Sequence, residues 1–241
     1  MQFHKNPVTK ISLPSWLLSA LQQTLPVILG YLPIGFAYGV LAQKSGVSGI
    51  NTALMSLLVF AGSAQLIAVG LLASGAGPAT VILTTFMVNL RHLLMSASLA
   101  PFLGSWSRIQ QAFFSFQLTD ETFALHSSRF AGGKPLKKET LAINVISQSA
   151  WLAGTCMGLF AGSFVSDMRP IGLDFALPAM FIVLLVWQVQ SLLILFTAIA
   201  AGACSLALIL LGLGQSSVII ATVLASTLGL VVEKWIKKRS F

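Results

Sequence analysis

Charged side chains are scarce in this sequence. Only 8% of its 241 residues are Asp, Glu, Lys or Arg, against roughly a quarter in ordinary soluble domains. A water-facing surface cannot be built from that inventory, so a soluble enzyme and a disordered chain are both excluded. Cysteine is nearly absent as well. Cys156 and Cys204 lie in apolar runs without metal-ligand spacing, which excludes a disulfide scaffold and leaves them as small apolar side chains expected to be buried. G-x-S-x-G, H-E-x-x-H and the P-loop are all missing, and the three histidines compose no metal set. No enzymatic activity, cofactor or metal is therefore expected, and ATP cannot drive the chain directly. No small-residue cleavage pattern follows a short apolar core near the start, so the first hydrophobic segment is expected to be retained.

What the chain has in abundance is apolar length. Hydrophobic residues make up 56% of it, and its mean hydropathy is +0.89. Ile11–Gln43, Ser45–Leu90, Thr140–Ser166 and Phe175–Val232 carry no charge at all. A membrane-crossing helix needs about 20 apolar residues, so each run holds at least one. Alternation of apolar and polar residues is absent, which favours helices over a barrel. The expected fold is an all-α polytopic membrane protein of about seven or eight transmembrane helices, some of them broken. Gly, Pro and charge divide it into Leu25–Gln43, Thr52–Ala73, Pro78–Leu99, Gln111–Ser127, Thr140–Phe164, Phe175–Phe196, Ala198–Leu211 and Ser217–Val232, the last two short. An amphipathic piece, Trp16–Gln23, precedes them at the interface. Gly35-x-x-x-Gly39 and Gly154-x-x-x-Gly158-x-x-x-Gly162, each followed by a span with central amides (Gln65; Gln188 and Gln190), suggest two related halves, 16–130 and 140–235, in a single transmembrane domain.

The net charge of +8 does not point to nucleic acid. Lys5 and Lys10, then Arg129, Lys134, Lys137 and Lys138, then Lys234, Lys237, Lys238 and Arg239 each abut a hydrophobic segment, as cytoplasmic anchors do. With eight crossings all three clusters and both termini lie in the cytoplasm, and Lys44, Arg108 and Arg169 lie outside. A re-entrant Gln111–Ser127 would put Arg129–Lys138 on the wrong side, so this segment is read as a crossing.

The informative residues are the polar ones within spans. Arg91 and His92 lie inside the third span, and Asp120 and Glu121 inside the fourth. A charge at the bilayer centre costs roughly 2.5–3.5 kcal/mol, so Arg91, Asp120 and Glu121 must be paired, solvated in a cavity or partly neutral. An Arg91 pair with either carboxylate could be a structural bridge. A desolvated carboxylate, or His92, could instead carry a proton across the membrane. Thr85, Asn89, His92 and Ser96 form one polar stripe at helical spacing, and Asn144, Gln148, Trp151 and Thr155 form another. The two are expected to face each other around a wet interior. Gly62, Ser63 and Gln65 weaken the second span and predict an unwound binding element at Gly62–Gln65, and Pro26 and Pro33 invite a similar disturbance of the first.

Four strings, GYLPIGFAYGVLAQKSG (Gly30–Gly46), LLVFAGSAQL (Leu57–Leu66), NLRHLLMSASLAP (Asn89–Pro101) and FQLTDETFAL (Phe116–Leu125), resemble the AzlC family, the YgaZ-like large subunits of branched-chain amino acid exporters. The resemblance implies export of L-valine, leucine or isoleucine across a bacterial inner membrane. It also implies a small AzlD-type membrane subunit as partner and coupling to the proton gradient. The site candidates come from the polar residues themselves. Either Arg91 or the N–H groups of a broken helix would take the substrate carboxylate, and Asp120 or Glu121 its ammonium. Gln65, Asn89, Gln148 and the Gly62–Ser63 break would add hydrogen bonds, with Asp120, Glu121 and His92 as proton-coupling candidates.

Overall fold

The computed structural model of the chain describes residues 14–133, 136–164, 191–213 and 217–239, with isolated positions between 175 and 189. Gln188, Gln190, Arg169, Lys5, Lys10, Lys134 and nine of the 22 positions of the expected span Phe175–Phe196 lie outside the described residues. Every regular element among the described residues is a helix. By Cα proximity the chain divides into two compact units, Met1–Leu177 and Pro178–Phe241.

The first unit runs α1 (Ser15–Lys44), α2 (Gly49–Leu54), a π-helical turn (Met55–Val59), α3 (Gly62–Ala73), α4 (Pro78–Leu99), a 3-10 turn (Ala100–Leu103), α5 (Arg108–Phe116), α6 (Asp120–Ala131) and α7 (Lys137–Gly162). Its frame is the pair α1 and α7, which pack along much of their lengths. Glycine makes that approach possible. A Cβ on Gly35 would stand 2.7 Å from the Trp151 carbonyl oxygen, and one on Gly154 would stand 2.6 Å from that of Leu32. Gly39 and Gly158 abut the Thr155 and Phe36 carbonyls just as tightly. The two glycine motifs are thus the two sides of one helix seam, the small-xxx-small packing that serves where lipid supplies no hydrophobic drive between helices. At the start of this pair Glu139 pairs with Arg129 at 3.0 Å and accepts from Ser19 Oγ and Gln23 Nε2, both at 2.7 Å. That network ties α1, α6 and α7 together.

Several boundaries differ from expectation. Trp16–Gln23 is no separate interfacial piece but the opening turns of α1. Pro26 and Pro33 do not break that helix, which runs through both, its frame against α7 holding it where each ring removes a helical hydrogen bond. Gln111–Ser127 is not one continuous helix. It splits into α5 and α6, because Thr119 caps α6 through a reciprocal Thr119–Thr122 box that stops the preceding helix. Thr52–Ala73 splits at Phe60–Ala61, whereas Pro78–Leu99 is α4 to the residue, with Pro78 at the first helical position where its missing N–H costs nothing. Three helices, Ser15–Lys44, Pro78–Leu103 and Leu192–Leu210, are long and apolar enough to cross a membrane among the described residues. The breaks leave shorter pieces where full spans were expected.

The second unit holds α8 (Leu192–Leu210) and α9 (Ser217–Arg239), packed against each other. Both are longer than expected. Ser191 starts α8 early by accepting from the Ile194 N–H. Gly229 lets the pair close, since a Cβ there would meet Thr197 Oγ1 at 2.8 Å. The expectation of buried cysteines does not hold, as Cys156 is exposed on α7 and Cys204 is half-buried. A membrane protein's outer face is itself apolar, so an unpaired thiol gains nothing by hiding inside.

Replacing Gly158 by Leu is expected to wedge α1 from α7 and lower unfolding stability by at least about 2 kcal/mol. The check is denaturant unfolding of the detergent-solubilised protein beside a Gly70→Leu control, where a Cβ meets nothing within 4 Å.

Candidate functional site

Two helix breaks meet at mid-depth of the α1–α7 frame. At the first, α2 passes into the π turn, and the Phe60 N–H closes on the Met55 carbonyl at 3.1 Å. Phe60 then adopts a left-handed φ of 46°, a conformation that costs a bulky residue energy and is held only by its surroundings. Phe60 is buried, edge-on to Tyr31 with ring centroids 6.2 Å apart. The chain re-enters α3 at Gly62, where a Cβ would stand 2.7 Å from the Trp151 ring. The expected unwound element is therefore at Phe60–Ala61, and Gly62, Ser63 and Gln65 form the first turn of α3 that follows it. At the second break Gln117, Leu118 and Thr119 separate α5 from α6, so Asp120 and Glu121 are the first two residues of a helix rather than the middle of one. Its N-terminal dipole favours both negative charges.

Arg91 joins the two breaks. Its guanidinium pairs with Asp120 at 2.6 Å, and its Nη2 donates to Ser63 Oγ. The side chains are 27% and 16% exposed, enough for a ligand to reach them. Glu121 is held differently. Tyr31 donates its phenolic proton to Glu121 Oε2 at 2.6 Å and contacts the Thr119 hydroxyl. Among the described residues no lysine, arginine or histidine comes within salt-bridge distance of Glu121. The two adjacent carboxylates thus have unlike environments, one ion-paired and one bonded to a neutral phenol.

The amides complete the joint. Gln148 Nε2 donates to the Leu57 carbonyl at 2.8 Å, and Gln148 Oε1 accepts from Gln117 Nε2 at 2.7 Å. Gln65 Nε2 donates to Ser56 Oγ at 3.1 Å, which in turn meets Thr155 Oγ1 at 2.8 Å. The α7 stripe consequently finds its partners in the π turn, the second break and α6, not in the α4 stripe it was expected to face. Thr85 of that α4 stripe bonds its own backbone at Val81. Asn89 Oδ1 and His92 Nε2 are buried without a partner among the described residues, and neither bonds to Arg91 or Asp120. So Arg91, Asp120, Glu121, Gly62, Ser63, Gln65 and Gln148 come together at the breaks, while Asn89 and His92 stay beside them on α4.

Four residues escaped the sequence reading. Tyr31 carries no charge and sits in an apolar helix, so nothing flagged it. Gln117 and Thr119 were readable as a helix stop and cap in the string Gln-Leu-Thr-Asp-Glu-Thr, had it been taken as a helix start. His126 was missed too. Its Nε2 donates to Asn144 Oδ1 at 2.7 Å, and its ring lies between Phe114 and Phe130. Among the described residues no group of His, Cys, Asp and Glu is arranged to hold a metal.

This constellation lies within residues 26–165, which match the family described as AzlC protein. The chain belongs to the AzlC family. It is 30% identical over 175 residues to the inner membrane protein YgaZ of Escherichia coli, covering 70% of this chain and 71% of that one. An uncharacterized membrane protein of Archaeoglobus fulgidus is 33% identical over 201 residues, 82% of this chain and 87% of its own. The branched-chain amino acid transport protein AzlC of Bacillus subtilis is 30% identical over 175 residues, 70% of this chain and 66% of its own. No solved structure matches. This AzlC-family chain is a membrane protein, as its apolar helices require.

Tyr31→Phe keeps the ring and removes the hydroxyl, leaving Glu121 and Thr119 short of a partner. It is expected to lower stability by about 1–3 kcal/mol. Tyr38→Phe should cost less, because the Tyr38 hydroxyl, which also neighbours Gln65, makes long bonds to Thr52 O and Met55 Sδ, both at 3.5 Å. Thermal unfolding of the two variants side by side checks the difference.

Proposed function

We propose that this protein exports branched-chain amino acids from the bacterial cytoplasm by alternating access around the two helix breaks, coupled to the proton gradient and working with a small AzlD-type subunit. The observation that carries this reading is the Arg91 bridge, a full positive charge joining the first turn of α3 to the first turn of α6. Discontinuous helices whose N-termini face a buried charge are the form in which membrane transporters hold small charged solutes. The printed name of the Bacillus subtilis relative, a branched-chain amino acid transport protein, supports the same substrate class.

In this reading the Arg91–Asp120 pair is a placeholder. A zwitterion inserts between its members, giving its carboxylate to Arg91 and its ammonium to Asp120. Each half-buried charge then stays paired with and without substrate, which matters because an unpaired charge inside a membrane is costly. The Ser63 hydroxyl and the free N–H groups of the first α3 turn add donors for the carboxylate. Phe60, Tyr31 and Trp151 are buried against one another beside the breaks, and in this reading a branched side chain packs on them when the site opens. Glu121 is the carboxylate we assign to proton exchange. Tyr31 of α1, Arg91 of α4 and its neighbour Asp120 are the titratable groups around it. Placing both termini and the Arg129–Lys138 loop in the cytoplasm follows the positive-inside rule and belongs to this proposal.

Efflux of preloaded L-valine from proteoliposomes, with and without the small subunit, tests the reading. The wild-type chain is expected to give saturable efflux driven by a pH gradient. Asp120→Asn should abolish it while folded protein remains in the bilayer, and Glu121→Gln should keep valine exchange but lose its dependence on the gradient. Non-saturating flux indifferent to an uncoupler would instead mark a channel, and preferred competition by an unrelated metabolite would reassign the substrate.

A further inference from the structure

We propose that Gln117 is a binding residue for the substrate's ammonium group, held ready by an amide relay that runs across α7 to the other helix break. This rests on the zwitterion-transport reading above. The direction of the relay is set by chemistry. The Leu57 carbonyl can only accept, so the end of Gln148 facing it at 2.8 Å must be the NH2 group. The Gln148 oxygen therefore faces Gln117, whose own NH2 must donate to it at 2.7 Å. That leaves Gln117 Oε1 as an acceptor. It is buried without a partner among the described residues, on a side chain only 2% exposed.

Buried acceptors in native proteins are nearly always satisfied, so a free one calls for a reason. Rotating the amide to hide it would break the bond to Gln148, and rotating Gln148 would break the bond to Leu57. The backbone of one break thus dictates that the other break presents an oxygen. Gln117 directly precedes Leu118, Thr119 and Asp120, the stretch carrying the carboxylate already assigned to the ammonium. An ammonium has three N–H donors and Asp120 satisfies one or two of them, so a neutral amide oxygen three residues earlier, in the break that leads into Asp120, suits the third. Gln148 touches no substrate in this scheme and acts as a positioning residue.

The test compares L-valine with 2-hydroxyisovalerate, which has the same carbon skeleton and a hydroxyl in place of the ammonium. Each is used to compete against labelled valine efflux by the full-length chain in proteoliposomes. In the wild type valine should compete better, and Gln117→Leu should narrow that preference by about tenfold or more, since the lost bond is to a charged group. Gln148→Leu should narrow it in the same direction by freeing Gln117 to turn. A merely structural loss would weaken both competitors alike, and an unchanged preference or an equal loss would overturn the assignment. Should Gln117→Leu not reach the membrane, Gln117→Asn, which keeps an amide but draws it back by one carbon, is read by the same preference. A wild-type chain that moves no valine would strike down the transport reading itself, and this assignment with it.

Discussion

A helix broken inside a membrane protein leaves N–H and C=O groups that no water can satisfy, and everything at the centre of this molecule follows from that constraint. The chain is interrupted at Phe60–Ala61 and at Gln117–Thr119. The freed groups are met from α7, whose Gln148 reaches the Leu57 carbonyl and whose Asn144 reaches that of Phe114. A polar face on α7 is therefore the condition for two discontinuous helices to exist, as well as the wall of a site. Its price in apolar character is visible, because α7 at 26 residues is longer than α4 yet is not among the helices apolar enough to span by composition.

The glycine seam and the ion pair divide the labour. Backbone contact along Gly35, Gly39, Gly154 and Gly158 makes α1 and α7 a frame with no room for adjustment. The charged groups are delivered to that frame by other elements: Arg91 by α4, which packs chiefly on α3, and Asp120 and Glu121 by α6, only twelve residues long. Short helices whose termini are already capped can tilt without unravelling, whereas a seam of apposed carbonyls cannot slide. The proposed alternating access would use such a division between a tightly packed frame and shorter elements.

The match to the AzlC family ends at residue 165, just beyond the end of α7, and so covers both breaks, Arg91, both carboxylates and the amide relay. The α8–α9 unit lies outside it. Likeness over the first unit consequently concerns the part of the molecule that carries the chemistry, and the reading of function rests on residues inside that match.

Much of this was legible in the amino-acid order. Charge scarcity and apolar length determined a helical membrane protein, and the cost of intramembrane charge singled out Arg91, Asp120 and Glu121 before any coordinate. Gly62, Ser63 and Gln65 marked the first break to within two residues, because Gly and Ser weaken a helix locally. Local composition could not tell which carboxylate Arg91 would take, that the α7 stripe would face the breaks instead of α4, or that two glycine motifs 119 residues apart were one seam. Those are questions of which helices become neighbours. Tyr31 shows the limit most clearly: an ordinary residue in an apolar run, it acquires its role only when α6 brings Thr119 and Glu121 to its hydroxyl. One-dimensional order decided which groups could not be left in hydrocarbon; tertiary packing decided who rescued them, since a hydrogen bond needs its two ends within about 3 Å, a distance that spacing along the chain does not encode.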